Sequence, residues 1–311
     1  MSTGHAHREL GPGHGVSAEA DRGKLIIALA LIVGLMVAEV AAGIVADSLA
    51  LLSDAGHMLT DAAAIGMSLV ALRLAQRPAG GVMTFGLKRA EILSAQVNGI
   101  TLLVLAGLVG VEAIRRLVSP PEVEAGLVLV VALGGIVINL LATSTLARAN
   151  RQSLNIEGSF QHLLTDLFAF IGTAIAAGVI LLSDFQRADP IASLFVAALM
   201  LRSAYSLLRD SGRVFLEASP RGLDPQAIGR TLAGQAGVVE IHDLHLWEVT
   251  SDFPSLSAHV TVESEADCHR IRLSLADLLE RDYGIHHSTL QVEHQPEKLL
   301  KIERRSDASG A

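Results

Sequence analysis

The feature that most constrains the fold of this chain is a series of six long apolar runs in its first two thirds. Each run provides close to the roughly 20 residues that a helix needs to cross the hydrocarbon core of a bilayer. The mean hydropathy is +0.46 and only 18% of the residues are charged, against about 25% in soluble domains, which also indicates burial in lipid. The six predicted spans are about Leu25–Ala46, Leu49–Leu74, Ala90–Ile114, Leu127–Ala147, Phe160–Leu182 and Ile191–Leu208.

Basic residues beside these spans predict the orientation of the chain. Eleven of them lie at span ends on the side of the N-terminus, whereas only Arg115, Arg116 and Arg187 lie at ends on the opposite side. Lys and Arg accumulate on the cytoplasmic side of membrane proteins. We therefore predict a multi-pass protein of the cell inner (cytoplasmic) membrane, in contact with the lipid bilayer and with both termini in the cytoplasm.

The composition changes after about Asp210 and predicts a second, water-soluble domain. From Ser211 onward there are 16 acidic and 10 basic residues, a net charge of −6. The apolar periodicity of this part predicts the order helix, strand, strand, helix, strand, and so an α+β domain with a small antiparallel sheet packed on two helices. The acidic charge and the lack of a basic patch argue against a nucleic-acid partner.

These observations divide the chain into four predicted segments. They are residues 1–23, a flexible cytoplasmic N-terminus that contains histidines; 24–210, a six-helix transmembrane domain; 211–296, a cytoplasmic α+β domain; and 297–311, a C-terminal tail. The predicted fold class is thus an α-helical membrane protein of six transmembrane helices followed by a cytoplasmic α+β domain.

Two of the predicted spans carry the same pair of ionisable residues. His57 and Asp61 lie in the second span, and His162 and Asp166 lie in the fifth. Residues four apart share one face of a helix, so each span presents an imidazole and a carboxylate together. Polar groups at membrane depth are costly and indicate a functional site, although a single such pair would also be compatible with hydrogen-bonded packing.

The ligand chemistry of the two pairs predicts a metal of the zinc type. Two imidazoles and two carboxylates suit four-coordinate Zn²⁺, and imidazoles disfavour Mg²⁺, Ca²⁺ and Mn²⁺. Cd²⁺, Co²⁺ and Ni²⁺ accept the same ligands. The one cysteine, Cys268, excludes a disulfide framework, an iron–sulfur cluster and an all-cysteine zinc site. Two further intramembrane side chains, Asn98 and Asn139, are expected to form interhelical hydrogen bonds.

The chain resembles the cation diffusion facilitator family, and in particular its zinc-type bacterial members. The resemblance extends from Leu25 to Pro296 and depends on four motifs: Ser-Asp-Ala-Gly-His-Met-Leu-Thr-Asp at 53–61, Thr-Phe-Gly-Leu-Lys-Arg-Ala-Glu at 84–91, His162-x-x-x-Asp166, and His-Asp-Leu-His-Leu-Trp at 242–247. It implies six spans, a ferredoxin-like (metallochaperone-like) cytoplasmic domain, a homodimer, and efflux of metal in exchange for protons. It also implies that His57, Asp61, His162 and Asp166 form the transport site.

A second metal site is predicted in the cytoplasmic domain, which contains seven of the twelve histidines. His242, His259 and His294 lie on predicted strands that could bring them together, and the resemblance implies that these three and His269 occupy positions that bind regulatory metal in relatives. Strand alternation predicts that His245 faces away from His242.

The predicted function is therefore efflux of Zn²⁺ by metal/proton antiport, and not catalysis. An intramembrane metal-dependent hydrolase would also hold a buried metal, but such an enzyme needs an open coordination position and the sequence has no His-Glu-x-x-His motif. A passive metal channel or a metal sensor would also fit these ligands, and a flux assay with and without a pH gradient would distinguish either of them from an antiporter.

Overall fold

The computed structural model describes residues 13–45, 49–120, 125–151 and 153–295, except the side chains of 13–20, 42, 43, 45, 49–57 and 60. The described residues form two compact units. One unit contains the chain up to Leu216 together with Val249–Asp252, and the other contains Glu217–Glu248 and the chain from Phe253 onward. The His-containing start of the predicted N-terminal segment and the predicted tail 297–311 fall outside the described residues.

The first unit consists of six long helices. They are α1 (Gly13–Val45), α2 (Leu49–Ala75), α3 (Ala90–Val118), α4 (Ala125–Leu146), α5 (Leu154–Ser183) and α6 (Ala188–Phe215). Among the residues that the structure describes, all but α2 are long and apolar enough to cross a membrane. The 27-residue α2 coincides with the second predicted span, and the structure describes its backbone throughout but not the side chains of residues 49–57 and 60. α1 begins at Gly13, inside the segment predicted to be flexible.

Small and aliphatic side chains fill the interior of this unit. One buried cluster joins Leu25 and Ile32 of α1 to Ile65 of α2 and Leu163 of α5. Large apolar side chains on the outer surface remain exposed, such as Val130 at 69% and Phe195 at 62%. Such a surface suits contact with lipid, because a helix in a bilayer needs no polar outer face.

The second unit is an α+β domain in the predicted element order. It comprises α7 (Pro225–Ala233), β1 (Val238–Glu248), β2 (Pro254–Val262), α8 (Cys268–Tyr283) and β3 (His287–His294). Asp224 and Asp267 accept backbone hydrogen bonds at the starts of the two helices, which fixes where each helix begins. Leu232 and Leu275 of the helices pack with Val260 of β2 in one buried core.

The prediction of an antiparallel sheet is wrong for one of its two strand pairs. The strand order is β1-β2-β3, and β1 pairs with β2 antiparallel, but β2 pairs with β3 parallel. The physical reason is the connection, since α8 carries the chain back across the sheet between β2 and β3, as a parallel pair requires.

Candidate metal centre

The start of α5 places its two ligand residues on one face of the helix. The Ser153 hydroxyl accepts the backbone N–H of Ile156 at 3.3 Å and so caps the helix, and Glu157 provides negative charge in the first turn. From this fixed start, His162 and Asp166 follow two to three turns later. His162 is 2% exposed, so its imidazole lies in the interior of the helical unit.

Asp61, His162 and Asp166 come together between α2 and α5. The His162 Nε2 atom lies 2.7 Å from the Asp61 Oδ1 atom and 4.0 Å from the Asp166 Oδ2 atom. One ligand atom from each of the three residues lies within 4.8 Å of the others, and among the described residues this is the one cluster of three or more potential metal ligands. Helix spacing thus brings side chains from positions 101 residues apart into one site.

The spacing of these atoms is compatible with a zinc-type ion. Bonds of roughly 2.0–2.2 Å in a tetrahedral site separate neighbouring ligand atoms by roughly 3.4 Å. The 2.7 Å contact is a hydrogen-bond distance and the 4.0 Å contact is slightly longer than a tetrahedral edge. Shifts of less than about 1 Å in these two contacts would accommodate an ion. His57, the fourth predicted ligand, lies on α2, but its side chain is outside the described residues.

A buried network of serine and asparagine side chains lies next to this cluster. The Ser68 and Ser159 hydroxyl oxygens are 2.7 Å apart, and the Asn155 Nδ2 group donates to the Ser68 carbonyl oxygen at 2.9 Å. The Asn98 Nδ2 group donates to the Ser68 hydroxyl at 3.4 Å, which confirms the predicted interhelical hydrogen bond of Asn98. The network joins α2, α3 and α5 on the side of the cluster that faces the start of α5.

Sequence reasoning missed Ser68, Asn155 and Ser159 in this network. The signal that could have identified the last two is their spacing, since 155, 159, 162 and 166 follow one another at intervals of four, three and four residues. These intervals place all four positions on one face of α5.

A cavity of about 470 Å³ lies on the other side of the cluster. Its lining includes Asp61 and Asp166 and extends to Arg116 near the far end of α3. Arg116 lies 3.8 Å from Asp189 at the start of α6 and 2.9 Å from Glu112. The candidate ligands thus lie between this cavity on one side and the hydrogen-bonded network on the other.

Asn139 also lines this cavity, and the prediction of an interhelical hydrogen bond for it is wrong. Its Nδ2 group donates to the Gly135 carbonyl oxygen of its own helix at 3.3 Å. Its Oδ1 atom is buried and has no hydrogen-bond partner among the described residues. Most of the side chains that line the cavity around Asn139 are apolar and have no hydrogen to donate to this oxygen.

In the second unit, two of the four predicted cytoplasmic ligands lie side by side. His242 of β1 pairs directly with His259 of β2, and their ring centroids are 5.3 Å apart. Asp243, which sequence reasoning did not single out, lies with its carboxylate oxygens 3.1 Å from the His245 Nε2 atom and 4.0 Å from the His259 Nε2 atom.

The prediction that His245 faces away from His242 is wrong because β1 contains a bulge. The pairing register shifts between His242 and His245, so that His245 pairs with Ser257, two residues from His259 on β2. Residues two apart on a strand share a face. The bulge forms at Asp243, whose φ of 52° lies in the left-handed region that Asp adopts more readily than most residues.

His269 and His294 lie elsewhere in this unit. His269 is exposed in the first turn of α8. His294 pairs with Val262, on the face of the sheet opposite to His259, and its Nε2 atom lies 3.0 Å from the Ala266 carbonyl oxygen. A single chain therefore does not bring these two residues to the His242–His259 pair.

The comparisons with known proteins agree with this architecture. Residues 25–216 match the family model described as the cation efflux transmembrane domain, and residues 220–295 match the one described as the cation efflux protein, cytoplasmic domain. A solved structure, the metal-bound C-terminal domain of the CzcD transporter from Cupriavidus metallidurans, is 30% identical over 23% of this chain and 99% of its own length, with a TM-score of 0.22.

Several relatives are similar over most of their length. The cadmium, cobalt and zinc/H⁺-K⁺ antiporter of Bacillus subtilis is 37% identical over 90% of this chain and 92% of its own. The zinc transporter ZitB of Escherichia coli is 37% identical over 88% of both chains, and the metal cation efflux system protein CzcD of Cupriavidus metallidurans is 33% identical over 100% of this chain and 96% of its own. The two matched domains and these relatives show that the chain belongs to the cation efflux family, the cation diffusion facilitators.

Proposed function

We propose that this protein exports divalent transition-metal ions, Zn²⁺ foremost, across the cytoplasmic membrane in exchange for protons. The observation that carries the proposal is the convergence of Asp61, His162 and Asp166 inside a bundle of membrane-spanning helices. The names of its relatives support the same activity, because they include a zinc transporter and an antiporter of cadmium, cobalt and zinc. His57, one turn before Asp61 on α2, is proposed as the fourth ligand.

The ligand set explains why protons would be exchanged for the metal. Zinc binds neutral imidazole and ionised carboxylate, so its arrival displaces protons and protonation displaces it. The same ligands accept Cd²⁺, Co²⁺ and Ni²⁺, and these ions are proposed as further substrates. The basic residues at the span ends support an orientation with both termini in the cytoplasm, and the matched cytoplasmic domain supports a homodimer.

A second, regulatory metal site is proposed on the cytoplasmic domain around His242 and His259. The direct pairing of these residues and the nearby Asp243 carboxylate support it. His269 and His294 remain predicted ligands, and they would need either a rearrangement or a second copy of the chain to join the pair.

The transport site is tested by zinc uptake into inverted membrane vesicles that hold an acidic interior. We expect Asp61→Ala and His162→Ala to abolish uptake, because each removes a ligand of a site with four. Asp184→Asn is a matched control, since it removes an exposed carboxylate at the end of α5 and Asn tolerates the same left-handed backbone. Wild-type uptake in either ligand variant would reject the site.

A further inference from the structure

Asn139 is the one residue of the cavity lining that is almost fully buried and whose side-chain oxygen has no hydrogen-bond partner among the described residues. It is 1% exposed, and its Oδ1 atom is buried, while its Nδ2 group is used by the Gly135 carbonyl oxygen. A buried amide oxygen without a donor costs free energy, and polar groups at membrane depth are costly in general. Packing therefore does not explain why an asparagine occupies this position.

The position of Asn139 along α4 is close in depth to the transport site. The short connection between the end of α4 at Leu146 and the start of α5 at Leu154 makes the two helices antiparallel neighbours. Asn139 lies seven residues before that end, or about 10 Å, and His162 lies eight residues after that start, or about 12 Å. The two residues are thus within about one helical turn of the same level.

The other lining residues show what the cavity can offer to a cation. Its charged lining residues are Asp61, Asp166 and Arg116, and the first two belong to the transport site itself. Its neutral oxygens come from Asn139, Thr165, Thr173 and Ser193. Of these, the Thr165 hydroxyl already donates to the Gln161 carbonyl oxygen at 2.8 Å.

We propose that the Asn139 carboxamide oxygen binds the metal ion as it passes between the transport site and this cavity. This inference rests on the proposed function. A neutral oxygen ligand attracts the ion without adding a third negative charge, so the ion can still leave, as transport requires. Because carbonyl oxygen is a hard ligand, it favours Zn²⁺ over the softer Cd²⁺. Asn139 is therefore a residue that determines metal specificity.

The experiment compares initial rates of Zn²⁺ and Cd²⁺ uptake by the purified full-length protein in proteoliposomes with a fixed pH gradient. Asn139→Leu removes the oxygen and keeps the branched shape of the side chain. We expect its Zn²⁺ uptake efficiency to fall by about tenfold, the lower end of the losses seen when groups that support a metal site are removed. Cd²⁺ uptake falls less, so the ratio of Zn²⁺ to Cd²⁺ rates decreases. If Asn139→Leu does not fold, Asn139→Ala tests the same ratio.

Two control variants separate this role from a structural one. Asn139→Gln keeps a neutral carboxamide oxygen in the cavity and should keep the wild-type ratio. Thr143→Val removes a buried hydroxyl of α4, one turn from Asn139, that has no hydrogen-bond partner among the described residues and is not part of the cavity lining. It should also keep the wild-type ratio.

The inference is overturned if Asn139→Leu keeps the wild-type ratio, whether or not both rates fall, or if either control changes the ratio as much as Asn139→Leu does. Failure of the proposed function gives a different result, because Asp61→Ala would then transport metal as well as the wild type. An active wild type, an inactive Asp61→Ala variant and an unchanged Asn139→Leu ratio would reject only the role of Asn139.

Discussion

At the residue scale, the Asp61 and Asp166 carboxylates need a positively charged partner because they lie between helices that cross a membrane. The His162 Nε2 atom is close to both, at 2.7 and 4.0 Å. Either a proton on that nitrogen or a divalent metal ion beside it would place positive charge between the two carboxylates. In the proposed exchange, metal and proton thus compete for one set of atoms, and no second site is needed to link their movements.

The spacing of His57, Asp61, His162 and Asp166 could be read from the sequence because an interval of four residues has a direct meaning on a helix. The role of Ser68 could not, since a serine in an apolar helix has many potential partners. Its contacts with Ser159 and Asn98 depend on how three helices pack. Likewise, the lack of a donor for Asn139 depends on which neighbours are close, and a single sequence does not contain that information.

Gly135 allows α4 to approach α5 closely at the level of the cavity. A Cβ atom at this position would lie 2.3 Å from the Phe170 Cδ1 atom, so Gly135→Ala forces the ring or the helix to move. We expect overpacking to cost about 1–3 kcal/mol, seen as a lower apparent melting temperature of the detergent-solubilised protein. The adjacent Gly134→Ala is the control, since a Cβ there meets nothing within 4 Å. Equal melting temperatures for the two variants would contradict this packing.

At the scale of elements, the helices and strands follow from periodicity and capping, whereas the pairing of the strands does not. The predicted third span and α3 both begin at Ala90, and the predicted strands overlap β1, β2 and β3. The direction of β3 depends on where α8 delivers the chain. β1 has two register shifts relative to β2, and the second, at the Asp243 bulge, moves every later residue of that strand to the opposite face.

The bulge leads to a prediction for Asp243. Its φ of 52° disfavours β-branched residues, so we expect Asp243→Val to destabilise the cytoplasmic domain by about 1–2 kcal/mol. Asp243→Gly fits the same backbone and should keep the fold, but it removes the carboxylate beside His245 and His259. The affinity of the cytoplasmic domain for zinc should therefore be lower in Asp243→Gly than in the wild type.

Thermal unfolding of the full-length protein measures the loss of stability in Asp243→Val, and equilibrium zinc binding measures the loss of affinity in Asp243→Gly. All variants also carry Asp61→Ala, which removes zinc binding at the transport site. Glu240→Val is the control, because Glu240 is an exposed residue of the same strand. A loss of stability in Asp243→Val no larger than in Glu240→Val would argue against the bulge. Unchanged zinc affinity in Asp243→Gly would argue against a ligand role for the carboxylate.

At the scale of the whole molecule, the division of the chain into two units follows from the distribution of charged and apolar residues. The apolar runs predict a membrane unit and the acidic remainder predicts a soluble one, and the chain indeed forms two compact units. Composition does not reveal how a metal would be moved. That conclusion depends on ligands held within the helical unit, with a cavity on one side of them and a hydrogen-bonded network on the other.

The distinction between an antiporter and a channel can be tested because coupling is reciprocal. If zinc and protons exchange at one site, then a zinc gradient alone must drive protons in the opposite direction. Proteoliposomes that contain the wild-type protein and a trapped pH dye, with no initial pH gradient, should become acidic inside when zinc flows out. We expect no change of dye signal with Asp61→Ala, or without zinc. An ionophore that prevents a membrane potential is needed throughout, because a channel carrying Zn²⁺ alone could otherwise draw protons inward electrically. With the potential removed, zinc efflux without internal acidification would identify a passive pathway.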